Sequence, residues 1–249
     1  TRVLIVTLLV MLVMALPVGA ITWGELDEGR HPNVGAMVID HPEHGWWQVC
    51  SGTLIHPRVF LTAGHCTEGL DDGSVPVWVN FDEYALHVDT LLEVERVVTH
   101  PEFGWGGNDP HDVGLLILAE PVGDMEVAAL PEPGLLDQLK KDRILRAGGP
   151  EGSDFTVVGY GGTLDWPPPD IYYEDHRQVA YSEYVALTRV WLHMSQNLLK
   201  DNGGTCFGDS GGPAFWVDPD GNEILVGVTS WGDAVCVATG FDYRIDIPQ

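Results

Sequence analysis

The sequence is poor in positive charge. Twelve Lys and Arg stand against 37 Asp and Glu, a formal net charge of −25 at pH 7, and lysine occurs only at Lys140, Lys141 and Lys200. A field of that sign repels phosphate backbones, which excludes nucleic acid as a partner. The acids are scattered, as at Asp71-Asp72 or Glu93 and Glu95, and form no long block. A solvated anionic surface that keeps an exported protein soluble accounts for them; salt adaptation or loosely held calcium are the alternatives. No His or Cys cluster has zinc spacing, so neither a metal nor another cofactor is expected. Beyond residue 20 no run is apolar over the roughly 20 residues that a bilayer core requires.

Cysteine is scarce too. Cys50, Cys66, Cys206 and Cys236 form an even set, which in an exported chain implies two disulfides, and the sequence alone leaves all three pairings open. Export itself is read from the start of the chain. Val3 to Leu16 is apolar apart from Thr7, follows Arg2, and ends in Pro17-Val18-Gly19-Ala20. Residues 1–20 therefore read as a secretory signal cleaved after Ala20, leaving 21–249 outside the cell with no stable membrane association.

After residue 21 the apolar residues come in short runs rich in valine, isoleucine and aromatics, punctuated by Gly, Pro, Asp and Asn. Strands are predicted over 34–39, 52–55, 59–62, 77–81, 93–98 and 115–118, then over 156–160, 178–181, 213–217, 224–231 and 241–245. Glu120 to Asp124 followed by Pro131-Glu132-Pro133-Gly134 reads as the connection between halves of about 21–125 and 126–249. About six strands on each side predict an all-β fold of two closed antiparallel sheets, since closure removes exposed edges. One helix is predicted over 185–199, where Leu187, Val190, Trp191 and Met194 recur at helical spacing. Trp166-Pro167-Pro168-Pro169 cannot continue a ladder and is read as a loop.

Three segments carry chemistry. Leu61-Thr62-Ala63-Gly64-His65-Cys66 puts a histidine at the end of an apolar strand, Asp112 leads the apolar run 113–118, and Gly208-Asp209-Ser210-Gly211-Gly212-Pro213 surrounds a serine with residues that tolerate unusual dihedrals. Each alone has an ordinary explanation as a turn or a surface group. Together they fit nucleophilic catalysis. A serine hydroxyl attacks a carbonyl only when a neighbouring base takes its proton, imidazole is suited to that task, and a carboxylate on the other ring nitrogen fixes the tautomer.

In type and order these segments resemble the trypsin/chymotrypsin family, and the resemblance covers nearly all of 21–249. It implies two six-stranded β-barrels with the active site in the cleft between them, and a secreted, monomeric serine endopeptidase acting through an acyl-enzyme. By resemblance His65 is the general base, Asp112 its orienting acid and Ser210 the nucleophile, and the N–H groups of Gly208 and Ser210 form the oxyanion hole. His111 reads as a bystander. The resemblance pairs Cys50 with Cys66 and Cys206 with Cys236. It casts Ser230-Trp231-Gly232 as the edge that pairs with the substrate backbone, and Gly204 as the base of the pocket for the residue before the cut, with Thr205, Phe207 and Gly240 around it. Gly204, Gly232 and Gly240 predict an open, uncharged pocket for large apolar or aromatic side chains. A one-residue slip in register would instead bring Asp242 into it and favour Arg or Lys. The resemblance also pairs a new N-terminus at Ile21 with Asp209. Partners are protein or peptide substrates, with a protein inhibitor as the other class that the family allows.

The family's C-terminal helix has no counterpart in the sequence, and the chain starts without Met. A fragment at both ends is the expectation, with apolar surface bared on the second half. The rival readings are a non-catalytic binding protein on the same fold, and an acidic protein that binds calcium or cell-wall polymers.

Overall fold

The computed structural model describes residues 21–104, 110–148, 154–164 and 171–247. The predicted signal and the 166–169 loop lie outside them. Six strands close the first barrel: β2 (Val34–His41), β3 (Gly45–His56), β4 (Val59–Thr62), β5 (Val77–Asn80), β6 (Leu92–Thr99) and β7 (Gly114–Leu118), in the order β2-β3-β4-β7-β6-β5. Burial alternates strictly along β7, as a strand with one face on a core must. Phe60, Leu54, Met37, Val79, Leu116 and Leu118 fill the interior.

The second barrel is built from β8 (Asp154–Gly159), β11 (Gln178–Leu187), β12 (Trp191–Ser195), β13 (Pro213–Val217), β14 (Glu223–Gly232) and β15 (Thr239–Arg244). Its order is β11-β12-β15-β14-β13-β8, and β8 pairs again with β11 to close the ring. A short β1 (Glu25–Leu26) adds to β11, and β9 (Thr163–Leu164) pairs with β10 (Ile171–Tyr172). All eleven strands predicted from the sequence are present; the two-residue pieces and β12 are additions. The first core does not stop at the barrel wall, since Val158, Val179, Phe215 and Val228 of the second barrel belong to the same apolar cluster.

The helix predicted over 185–199 does not form. Its residues make the end of β11, a reversal and β12, with Leu187 opposite Leu192 and Glu183 opposite Ser195. Thr188 makes the reversal, its hydroxyl accepting from Trp191 N at 2.9 Å. Helical spacing of apolar residues arises here because both faces of β12 are covered. Leu192 and Met194 enter the barrel core, whereas Trp191 packs edge-on against Trp231 and Tyr243. In so short a segment β-branched and aromatic content was the better guide.

Two α-helical segments occur among the described residues. The single turn α1 (Gly64–Thr67) follows β4, and α2 (Leu135–Lys141) lies in the connection between barrels. The second has Asp137 in its first turn, Lys140 and Lys141 in its last, and Leu136 and Leu139 buried against the second barrel. That charge order complements the helix dipole. Among the described residues no helix is long and apolar enough to cross a membrane.

Candidate active site

His65 is presented by α1, which sits directly on the start of β7. A side chain at Gly64 would come within 3.0 Å of Val113 N, and one at Gly114 within 2.5 Å of Thr67 Oγ1. The two glycines thus let the helical turn and the strand approach, and bring His65 to Asp112. His65 Nδ1 lies 2.9 Å from Asp112 Oδ2 and 3.1 Å from Oδ1, and the His65 backbone N–H donates to Oδ1 at 2.8 Å. Ser230 donates its hydroxyl to Oδ2. Asp112 is 4% exposed. Burial pushes its carboxyl up, but hydrogen bonding and charge attraction from His65, with the Ser230 hydroxyl, outweigh that and hold it below the usual carboxylate range.

Ser210 stands on a tight loop supplied by the second barrel and held by the first. Ser51 N donates to Ser210 O at 2.8 Å, and Gly211 N donates to Thr229 O at 2.8 Å. Gly211, at φ +83°, leaves no room for a side chain, since a Cβ would lie 2.0 Å from Thr62 Oγ1. Gly208 has φ +97°, a left-handed conformation that glycine takes without strain. Its carbonyl accepts from Gln48 Nε2 at 2.8 Å and from Ser51 Oγ at 3.0 Å. The Phe207 carbonyl is tied back to Gly162 N at 2.8 Å. Among the described residues neither Gly208 N–H, Ser210 N–H nor the Ser210 hydroxyl has a protein hydrogen-bond partner. These donors are thus unspent. His65 and Ser210 line one cleft of about 790 Å³ between the barrels, and hydrogen bonds between nucleophile and base are commonly loose before substrate arrives.

The disulfides are Cys50–Cys66 and Cys206–Cys236. One clamps the turn that carries His65, and the other ties Phe207 and Gly208 to the segment after Gly232. Thr205, Phe207, Ser230, Trp231 and Gly232 all line the cleft. Trp231 is stacked on Phe241 at 3.8 Å between ring centroids, which fixes the edge it belongs to.

Gly204 and Gly240 do not line the cleft. They were expected to leave its inner end open, and the space they leave is taken by Gln196. A Cβ on Gly204 would lie 2.2 Å from Gln196 Cγ, and one on Gly240 2.9 Å from its Nε2. Asp242 is fully buried beneath β14, opposite Thr229, and does not reach the cleft either. Burial pushes its carboxyl up to about 8, with the Thr229 hydroxyl pulling weakly the other way, so it is mostly neutral at pH 7.

Ile21 and Asp209 are both fully buried but do not hydrogen-bond to each other. Ile21 N donates to Gln178 Oε1 at 3.0 Å, and Thr22 O accepts from Gly204 N at 3.0 Å. Asp209 accepts from Cys206 N and Gly161 N, each at 2.8 Å. Burial raises its carboxyl to about 7 despite these two donors. His111 turns away from the pair, 3.4 Å from Glu102 and stacked on His100.

Sequence reasoning missed Gln48, Ser51 and Gln196. Gln48 and Ser51 have their partner on a distant segment, Gly208 being 160 residues from Gln48, whereas Gln196 meets Thr205 nine positions on, and no local pattern marks any of the three.

Comparison with known proteins agrees with this geometry. The family model "Trypsin" matches residues 25–248. A trypsin of Saccharopolyspora erythraea is 29% identical over 219 residues, covering 84% of this chain and 85% of the relative. Mouse tryptase is 29% identical over 210 residues, with coverage of 76% and 70%. Lectizyme of Glossina austeni is 29% identical over 234 residues, with coverage of 90% and 80%. With two closed antiparallel barrels and a family match over nearly its whole described length, the chain belongs to the trypsin family and is a serine endopeptidase.

Proposed function

We propose that this protein is a secreted endopeptidase that cleaves after apolar side chains, with Ser210 as nucleophile, His65 as general base and Asp112 orienting it. The observation that carries the reading is the buried Asp112 carboxylate on His65 Nδ1, in the cleft that Ser210 also lines. That bond leaves Nε2 of His65 as the nitrogen able to accept the serine proton. Attack on a peptide carbonyl forms the bond from Ser210 Oγ to carbon, and the developing oxyanion takes the unspent N–H groups of Gly208 and Ser210. His65 then gives its proton to the leaving amine; a water, deprotonated by the same ring, releases the acid product.

Substrate backbone adds along Ser230-Trp231-Gly232, a mode that reads little sequence. Side-chain choice falls on the pocket flanked by Thr205, Phe207 and Gly232. Gly204 and Gly240 face the uncharged Gln196, Asp242 is buried with its carboxyl pushed up to about 8, and Asp233, which lines the cleft, is engaged by the N–H groups of Val237, Ala238 and Thr239; this favours Phe, Tyr and Leu over Arg and Lys. Residues 1–20 direct export, and their removal frees an ammonium at Ile21 that pairs with Asp209. A buried carboxyl whose partners among the described residues are two backbone N–H groups and no cation supports this assignment. The enzyme works as a monomer on protein or peptide substrates, and protein inhibitors would occupy the same cleft.

Ser210→Ala tests the core of the proposal. The variant should fold as the parent by circular dichroism and lose nearly all peptidase activity, keeping only the small residue due to binding and the oxyanion site. Full activity in purified variant would refute the triad.

A further inference from the structure

The space between Gly204 and Gly240 is filled by a side chain. Gly204 and Gly240, on opposite segments, both point at the carboxamide of Gln196. A Cβ on Gly204 would lie 2.5 Å from both its Cδ and Nε2, and one on Gly240 would lie 3.6 Å from Cδ. Gln196 follows β12, is 2% exposed, and donates from Nε2 to Thr205 O at 3.0 Å, with Thr205 Oγ1 at 3.3 Å. Thr205 lines the cleft and Gln196 lies behind it. The side chain therefore fills the volume that two glycines would otherwise leave to a substrate. Its Oε1 is buried without a protein partner. An unpaired buried acceptor costs stability that the Nε2 bond to Thr205 O must offset, and such a group calls for an explanation, which the site supplies.

We infer that Gln196 is the floor of the pocket and a specificity-determining residue. It shortens the pocket so that aliphatic side chains of leucine or methionine size are preferred to aromatic rings. The inference rests on the reading of this pocket as the one that takes the residue before the cut. A leucine ends above the amide and buries its whole surface against Thr205, Cys206, Gly232 and Cys236. A ring must push the amide aside, which breaks the bond to Thr205 O and leaves that carbonyl buried and unpaired. The same amide accounts for Gly204, because any larger residue there would meet Gln196 Cγ.

The test compares kcat/KM for peptides that differ only in the residue before the cut, Ala, Leu, Met, Phe, Tyr or Arg, using processed enzyme normalised by active-site titration. Wild type should turn over Leu and Met faster than Phe and Tyr. Gln196→Ala should raise the Phe to Leu ratio by about tenfold or more, the size of effect that a side-chain-sized change of pocket volume gives. Gln196→Met, which keeps the volume, should retain the wild-type order. If Gln196→Ala does not fold, Gln196→Asn carries the same comparison with one methylene removed. A wild type fastest on Phe or Tyr, or a ratio unchanged on shortening Gln196, overturns the inference while leaving the apolar pocket standing. Arg ahead of every apolar residue in wild type overturns the apolar reading and this inference with it.

Discussion

Ser230 and His65 hold the same oxygen of Asp112: the serine hydroxyl donates to Oδ2, and His65 Nδ1 lies 2.9 Å from it. The two donors come from different barrels, Ser230 from β14 and His65 from the turn after β4. The carboxylate that orients the histidine is thus itself oriented across the interface. Removing the Ser230 hydroxyl deprives a buried carboxylate of one donor while leaving its charge. The carboxylate is then held less firmly against His65.

Ser230→Ala should therefore lower kcat on the order of tenfold, the equivalent of one hydrogen bond to a charged group. An unchanged kcat with only a raised KM would assign Ser230 to substrate binding alone.

Asp209 gives a prediction about processing. Enzyme recovered from the medium should begin at Ile21, and a form with one extra residue ahead of Ile21 should lose activity by about 100-fold or more, the effect of leaving a buried carboxylate without its cation. N-terminal sequencing and assay of the extended form decide it. Full activity in the extended form removes the ion pair from the mechanism.

Asp242 ties stability to pH. Its folded-state value of about 8 lies above the ordinary 3.8, so between those limits the folded chain binds more protons than the unfolded one and stability falls as pH rises. Asp242→Asn removes the ionisable group. Its gain in unfolding free energy should be greater at pH 8 than at pH 5 by about 2 kcal/mol or more. Equal effects at the two pH values would mean that Asp242 ionises freely in the fold.

Arg177 is 2% exposed and ties three segments. Its Nε donates to Asp27 Oδ2 at 2.9 Å, and one terminal nitrogen reaches Val34 O at 3.2 Å, Phe81 O at 3.0 Å and Tyr160 Oη at 3.0 Å. Asp27 also accepts from His31, and its carboxyl is lowered to about 2; burial alone would raise it, and the donors from His31 and Arg177 prevail. Arg177→Ala removes one of the two side-chain partners of that buried carboxylate together with the donor to Val34, Phe81 and Tyr160, and should cost about 3–5 kcal/mol in urea unfolding. A loss no larger than that of an exposed arginine would show that water replaces the guanidinium.

The site was legible where chemistry dictates residue type over a few neighbouring positions. His65, Asp112 and Ser210 each sit in a short segment whose glycines and apolar neighbours serve the local geometry, and the alternation along β7 could be read directly. What escaped depends on partners that chain folding alone brings near. Gln48 and Ser51 hold the Gly208 carbonyl from the opposite barrel, and no feature of 45–56 marks them for it. Helix α2 is capped from afar as well: Gly134 N donates to Asp246 O at 2.7 Å and Leu136 N to Asp246 Oδ2 at 2.9 Å. The pocket was misjudged for the same reason. Glycine implies space only if nothing else fills it, and Gln196 stands eight positions before Gly204 on a segment first read as helix.

Ser210 belongs by sequence to the second half, yet its carbonyl is held by Ser51 and the adjacent Gly211 fits only against Thr62 and Ser51 of the first. Ser210 and His65 thus come to line one cleft only after both halves have folded and docked. On the proposed assignment, a nascent or partly unfolded chain would carry every reactive side chain and yet be inert toward its neighbours, hydrolytic power arriving only with completed assembly.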